Sequence, residues 1–231
     1  MNIFIARHGH VFFNPPYEDK SGRIVLEGYE ASDPSLSVRG RMQAERLGAY
    51  LSSVRIDSVL CSPFQRTVET AYCAVQTQKN PPVIELWNGL IEVGGENDEY
   101  IPLDLLKTKY PNIKLMKGCH DRFEPLPGDD PEKSDELLIE RAKAVKSYIT
   151  GRFSGNDNVL LVTHGLFNGK YLLPVLLGIP DAWKSGIYFC TENAALSRIR
   201  YHKGKSELVF LNNVSYQEDC SSMGNILLDY E

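Results

Sequence analysis

The sequence predicts an α/β protein, a three-layer fold with an open, mostly parallel sheet and helices on both faces. Three observations carry that prediction. Short apolar runs of strand formers alternate with segments of helical period, the pattern of parallel strands joined by crossover helices. One run, Asn158 to Thr163, is almost wholly apolar, as a strand covered on both faces must be. The chain has 231 residues, 42% of them hydrophobic, enough for a sizeable core without disulfides or a structural metal.

The elements follow in order. Asn2 to Ala6 is short, apolar and followed by a Gly-containing loop, and reads as a buried strand. Residues 11 to 35 hold Pro15, Pro16, Gly22, Gly28 and Pro34 among charges, a long surface loop of the kind that often carries function. Met42, Leu47, Tyr50 and Leu51 then recur at helical spacing, with Ser37 placed to cap the helix. Ile56 to Cys61 is a second strand, and Ser62-Pro63 opens another helix, with proline suited to its first turn. Val83 to Leu86 is a third strand. Residues 92 to 131 are broken by glycines and prolines, and are expected to insert over the site as a lid (about 93–131) with a short helix at Leu103 to Lys109. Ser134 to Phe153 is an amphipathic helix, and Leu166 to Leu177 an apolar one ended by Gly178 and Pro180. Gly186 to Thr191, Ala195 to Tyr201 and Glu207 to Leu211 read as strands, before a polar, peripheral tail at about 214–231. No repeat or linker divides the chain, so one domain over 1–231 is expected.

Composition excludes several classes. The net charge of -5 leaves no basic footprint for nucleic acid, while still allowing a local arginine cluster to hold a small anion. The five cysteines, Cys61, Cys73, Cys119, Cys190 and Cys220, have neither disulfide-framework nor zinc spacing, and read as free thiols in a reducing compartment. No stretch approaches the roughly 18 apolar residues of a membrane span, and no signal-like segment opens the chain. A cytoplasmic enzyme without membrane partners is expected.

Three groups of chemical interest each follow an expected strand: Arg7-His8-Gly9, Ser62-Pro63-Phe64-Gln65-Arg66 and Thr163-His164-Gly165. Sheets of this kind bind ligands at the carboxyl ends of their strands. Two arginines can fork a phosphoryl group with charge-assisted hydrogen bonds. Of two histidines, one can attack as a neutral nucleophile and the other can donate to the developing charge. Gly9 and Gly165 allow tight turns and close backbone approach. A carboxyl group must protonate the leaving oxygen, and Glu92, just after the third strand, is best placed.

These pieces together resemble the histidine phosphatase (phosphoglycerate mutase-like) superfamily, over roughly Asn2 to Leu211. There an N-terminal strand ends in Arg-His-Gly and that histidine becomes phosphohistidine; Arg7-His8-Gly9 matches. Asn14 stands where the family has a phosphate-binding asparagine, six residues after the histidine. Leu36-Ser37-Val38-Arg39-Gly40-Arg41-Met42-Gln43-Ala44 fits the family's Leu-Thr/Ser-x-x-Gly-x-x-Gln-Ala. Ser62-Pro63, Arg66 and Thr70-Ala71 fit the second phosphate-binding arginine and its neighbours, and Leu90-Ile91-Glu92 fits the acid's Leu-x-Glu. His164-Gly165 matches the second histidine, and Asn193 to Leu196 a later segment leading to the final strands.

The resemblance implies the phosphoglycerate mutase-like fold and a metal-independent phosphohydrolase of small phosphomonoesters, needing no cofactor. His8 would attack, Arg7, Asn14, Arg66 and His164 would hold the phosphoryl group, and Glu92 would serve as acid and then base. Departures leave alternatives. Glu92 is followed by Gly94-Gly95-Glu96 and not by the family's aromatic-Glu-Gly ending, so Glu96 is a rival acid. The segment 93–131 offers Lys107, Lys109, Lys114, Lys117 and Arg122 in place of the mutases' paired arginines, which favours hydrolysis over mutase activity. A phosphomutase, or a non-catalytic module binding a phosphorylated metabolite, are the other readings. His10, two residues beyond His8, has no third ligand at recognisable spacing, so no metal is expected and a supporting or substrate-facing role is. A homodimer is only the base-rate expectation for assembly.

Overall fold

The computed structural model describes residues 1–11, 33–93, 101–116 and 134–218. Its centre is a seven-stranded sheet: β1 (Asn2–Arg7), β2 (Ser58–Cys61), β3 (Ile84–Leu86), β4 (Ile113–Leu115), β5 (Asn158–Thr163), β6 (Leu196–His202) and β7 (Lys205–Asn213). The spatial order is β4-β3-β2-β5-β1-β6-β7. The first five in that order run parallel, β6 is antiparallel to β1, and β6 and β7 form an antiparallel pair. The expected mostly parallel α/β sheet is therefore present.

Alternation along the central strands builds the three layers. Phe4 and Ala6 of β1, with Leu160 and Val162 of β5, face α1 (Val38–Leu51), α2 (Gln65–Gln76) and α3 (Leu103–Lys109), burying Leu47, Leu51, Val68, Ala71 and Leu106. Ile3 and Ile5, with Val159 and Leu161, face the opposite way onto α4 (Ser134–Arg152) and α5 (Leu173–Leu177), burying Leu138, Val145, Ile149 and Leu173. A period of two thus feeds both cores from one strand.

Several expectations need correction. Residues 101–116, expected within a lid, form α3 and the edge strand β4, which the sequence reading missed; the remainder of that segment lies outside the described residues. Leu106 and Tyr110 are accordingly core residues. The expected strand at Gly186 to Thr191 is absent: a 3-10 turn at Ala182–Ser185 precedes it, and Phe189 N pairs with Gly169 O in a helical segment and not with a strand. The apolar helix at 166–177 is a π-helix over Phe167–Leu172 that continues as α5. Pro174 gives the reason, since it has no N–H for the regular ladder and its ring crowds the carbonyl one turn back. The start of the tail is not peripheral: Gln217 is fully buried with Nε2 donating to Asn193 O at 3.0 Å, and Tyr216 Oη donates to Ala194 O.

One close approach ties the sheet to α1. A Cβ on Gly40 would lie 2.1 Å from the His10 carbonyl oxygen, and one on Gly9 2.5 Å from the Gly40 carbonyl oxygen. Both obstacles are backbone and cannot rotate away. Gly40→Ala should therefore cost about 3 kcal/mol of stability through overpacking, read as a lowered urea midpoint. A midpoint within error of wild type would show that the contact yields freely.

Candidate active site

Strand order does not follow from sequence, and it decides the site. β5 lies between β2 and β1. Arg7 pairs with Thr163 and Cys61 with Val162 at the last rungs of their ladders. The turns that begin at His8, Ser62 and His164 therefore leave one edge of the sheet side by side.

The His8 turn is fully hydrogen-bonded. His8 N donates to Thr163 O at 3.0 Å, and His8 O accepts from Ala194 N at 3.0 Å and Asn193 Nδ2 at 3.2 Å. Gly9 N donates to Thr70 Oγ1 at 3.0 Å and His10 N to Gln43 Oε1 at 2.9 Å, while His10 O accepts from Ser37 N at 2.9 Å. The remaining carbonyl, of Gly9, accepts from the His8 ring at 2.8 Å. The motif residues Ser37, Gln43 and Thr70 thus serve to fix the turn. Ala194 meets it with φ of 51°, a left-handed conformation that alanine holds only when its surroundings impose it.

The ring bond sets the chemistry of His8. A carbonyl can only accept, so Nδ1 carries the hydrogen and Nε2 the lone pair. Burial, followed by the Arg66 and Arg7 guanidiniums, holds the His8 pKa well below the usual imidazole value. The ring is neutral at neutral pH, with Nε2 equipped for attack.

His164 lies with its ring centroid 5.3 Å from that of His8 and 5.4 Å from that of Phe64, at 63° and 90°. Its Nε2 is 2.7 Å from Ser62 Oγ. Burial, then Arg66, His8, Arg7 and Arg141, hold its pKa low as well. Arg7 Nη1 donates to Thr191 O at 2.9 Å. The Arg66 guanidinium lies 4.4 Å over the Phe64 ring, with Nη1 3.7 Å from Asp33 Oδ1. Asp33 is 1% exposed and also accepts from Gln65 N at 2.7 Å and Ile101 N at 3.3 Å, so it caps α2 and pins the start of the 101–116 segment.

Glu92 sits at the start of the helix after His164. Its Oε1 accepts from Phe167 N at 2.8 Å and Val93 N at 2.9 Å, and its Oε2 from Leu166 N at 3.1 Å. Oε2, with a single bond, keeps a lone pair for a proton. The His10 ring is tied through Nδ1 to Ser37 Oγ at 2.9 Å, the cap of α1, which is a supporting contact.

Five of the expected residues, Arg7, His8, Arg66, Glu92 and His164, are thus grouped about the ends of β1, β2 and β5. Asn14, Glu96, Lys117 and Arg122 lie outside the described residues, and Lys107, Lys109 and Lys114 belong to α3, its end and β4 at the sheet edge. Asp33, Thr191 and Arg141 were missed. Arg141 is 8% exposed, stacks 4.1 Å over the Phe167 ring and contributes charge at His164. It had a usable signal, an arginine on the same helical stripe as Leu138, Ala142 and Val145. Thr191 acts through its carbonyl, which no residue type announces.

The two depressed histidines make stability depend on pH. Unfolded, each titrates near 6.5. Above that pH both states are neutral and stability is full; below it the unfolded chain takes up protons that the native state refuses, so stability falls. The urea midpoint should drop between about pH 7 and about pH 5.5, with a shallower drop in His164→Asn. A flat wild-type profile would contradict the neutral pair.

A model of the histidine phosphatase superfamily (branch 1) matches residues 3–214. Among curated proteins none matches the sequence. Solved structures share the fold. YhfR of Bacillus stearothermophilus is 24% identical, with a TM-score of 0.61 over 94% of this chain and 99% of that one. A phosphoserine phosphatase variant from Entamoeba histolytica, in complex with phosphoserine, is 17% identical, with a TM-score of 0.60 over 93% and 98%. The ecdysone phosphate phosphatase of Bombix mori, in complex with tungstate, is 18% identical, with a TM-score of 0.60 over 90% and 92%.

Proposed function

This chain belongs to branch 1 of the histidine phosphatase superfamily, and from that premise we propose that it hydrolyses small phosphomonoesters, without metal or cofactor, through a phosphohistidine on His8. The observation that carries the proposal is the His8 ring: buried, neutral, hydrogen committed to Gly9 O, lone pair on Nε2.

In the first step Nε2 attacks phosphorus and the bond from phosphorus to the ester oxygen breaks. Glu92 passes its proton from Oε2 to the leaving alkoxide. Arg7, Arg66 and His164 hold the non-bridging oxygens, with Asn14 joining them on the family pattern; such positioning and charge compensation are the main burden of phosphoryl transfer. In the second step water attacks phosphorus, the P–N bond breaks, and Glu92 takes the water's proton. That two of the structural relatives are themselves named phosphatases supports hydrolysis.

The test is a phosphoester panel assayed in the presence of chelator, with acid-labile, base-stable phosphate sought on His8 after quenching. Turnover without trapped phosphohistidine would sink the mechanism. Transfer from a bisphosphate primer to 3-phosphoglycerate, without phosphate release, would point to a mutase instead. Glu92→Gln should slow alkyl phosphoesters by about 10²- to 10⁴-fold, the usual worth of a general acid. An aryl ester with a good leaving group should instead give a burst and accumulate phosphohistidine. If Glu96→Gln behaves that way and Glu92→Gln does not, the acid is Glu96.

A further inference from the structure

Ser62 is fully buried at the end of β2. Its backbone is committed locally: N donates to Val162 O at 3.0 Å, and O accepts from Thr67 Oγ1 at 2.9 Å. Its hydroxyl meets Nε2 of His164 at 2.7 Å. The other ring nitrogen of His164, Nδ1, is buried with no hydrogen-bond partner among the described residues.

The contact between Oγ and Nε2 can be made in two ways. If Nε2 carries the ring hydrogen, it donates to Oγ. The hydroxyl hydrogen then has no acceptor among the described residues, and Nδ1 carries the lone pair. If the hydroxyl donates to Nε2, its hydrogen is used, Nε2 is satisfied, and the ring hydrogen sits on Nδ1. Each arrangement leaves one buried hydrogen unpaired among the described residues, the hydroxyl's in the first and that of Nδ1 in the second, and an unmade hydrogen bond in a dry interior is costly. A phosphoryl oxygen bound at Nδ1 completes the second, with the hydroxyl's hydrogen already used. The second also differs from the first in what a substrate meets. A phosphoryl oxygen is an acceptor, so Nδ1–H attracts it where a lone pair would repel it.

We infer that Ser62 is a positioning residue that sets the tautomer of His164, holding its one ring hydrogen on Nδ1 for the phosphoryl oxygens. The inference rests on the phosphatase reading of the site. The cationic surroundings make the tautomer matter. Burial and the nearby Arg66, Arg7 and Arg141 keep the ring neutral, and a neutral imidazole has one hydrogen to place. An imidazolium would donate from both nitrogens and would need no such partner. The ring's place between Phe64 and His8 fixes its plane, leaving the hydrogen's position as the remaining variable.

Nitrogen-15 NMR of histidine-labelled full-length protein reads the tautomer directly, and the resonance of His164 is identified by its loss in His164→Asn. Wild type should show a protonated Nδ1 and an unprotonated Nε2. In Ser62→Ala the hydrogen should move to Nε2, and kcat should fall about 10²-fold, the scale for losing one donor to a developing anion, with a smaller change in KM. Ser62→Thr, which keeps the hydroxyl, should restore the Nδ1–H signature and most of the rate; a thermal melt shows whether its extra methyl is accepted. Protonated Nε2 in wild type overturns the inference. So does a Ser62→Ala protein whose tautomer or kcat is unchanged. The spectrum needs no turnover, so an inactive wild type with Nδ1–H would count against the phosphatase reading while leaving the hold of Ser62 on the ring in place.

Discussion

His8→Ala is expected to lose turnover by about four orders of magnitude or more on every phosphoester, because removing a covalent nucleophile removes the whole first step. The rest of the phosphate site stays. Arg7 remains anchored on Thr191 O, Arg66 on Phe64 and Asp33, and His164 on Ser62. Inorganic phosphate or vanadate should therefore still bind, which separates a chemical defect from collapse of the pocket. The backbone bonds of the turn, from His8 N to Thr163 O and from Gly9 N to Thr70 Oγ1, do not use the ring and should hold the fold. Stability should also decline less steeply below about pH 6.5, since one of the two rings that refuse a proton is gone. Turnover within tenfold of wild type would overturn the assignment of His8.

Arg66→Ala should be the next most damaging change, for three reasons that can be measured separately. The first is loss of a forked donor to the phosphoryl group, which should lower kcat/KM by about 10³-fold, at the low end for arginines that stabilise phosphoryl transfer. The second is stability. Asp33 is buried and faces Arg66 across 3.7 Å, and stripping one member from such a pair costs about 3 kcal/mol or more. The third is titration. Arg66 is the largest charge holding down the pKa of both His8 and His164. Its removal should move the acid limb of kcat/KM upward toward the usual imidazole value. Arg66→Lys should keep that limb low while losing much of the rate, because a lysine supplies charge without the planar fork. An acid limb that stays put in Arg66→Ala would remove Arg66 from the immediate surroundings of the histidines.

The sequence made the central strands and their turns legible because burial on both faces leaves an unbroken apolar run, as at Asn158–Thr163. It hid β4, since Ile113–Leu115 is three residues at a sheet edge between a proline and a charged stretch. It suggested a strand at Gly186 to Thr191 because composition there favours extension, while the pairing of Phe189 with Gly169 is a tertiary fact. In the site, His8, Arg66 and His164 were readable because each follows a strand. Asp33 was not, because a carboxylate in a polar loop gives no sign that it will be buried beneath an arginine. The roles of Thr70, Gln43 and Ser37 became visible only once their bonds to the His8 turn were in view.

Val11 and Leu36 meet in an isolated antiparallel bridge, directly beside the locked contact of Gly9 with Gly40. The chain therefore leaves the sheet at Val11 and returns beside it at Leu36, with Asp33 held at the start of α2. The entropy of closing a longer segment between Val11 and Asp33 would grow only logarithmically with its length, while Asp33 itself stays bound to the start of α2 and beside Arg66. Val11 and Asp33 mark the junctions between which a longer or shorter segment could be spliced in without unpinning α1 or α2.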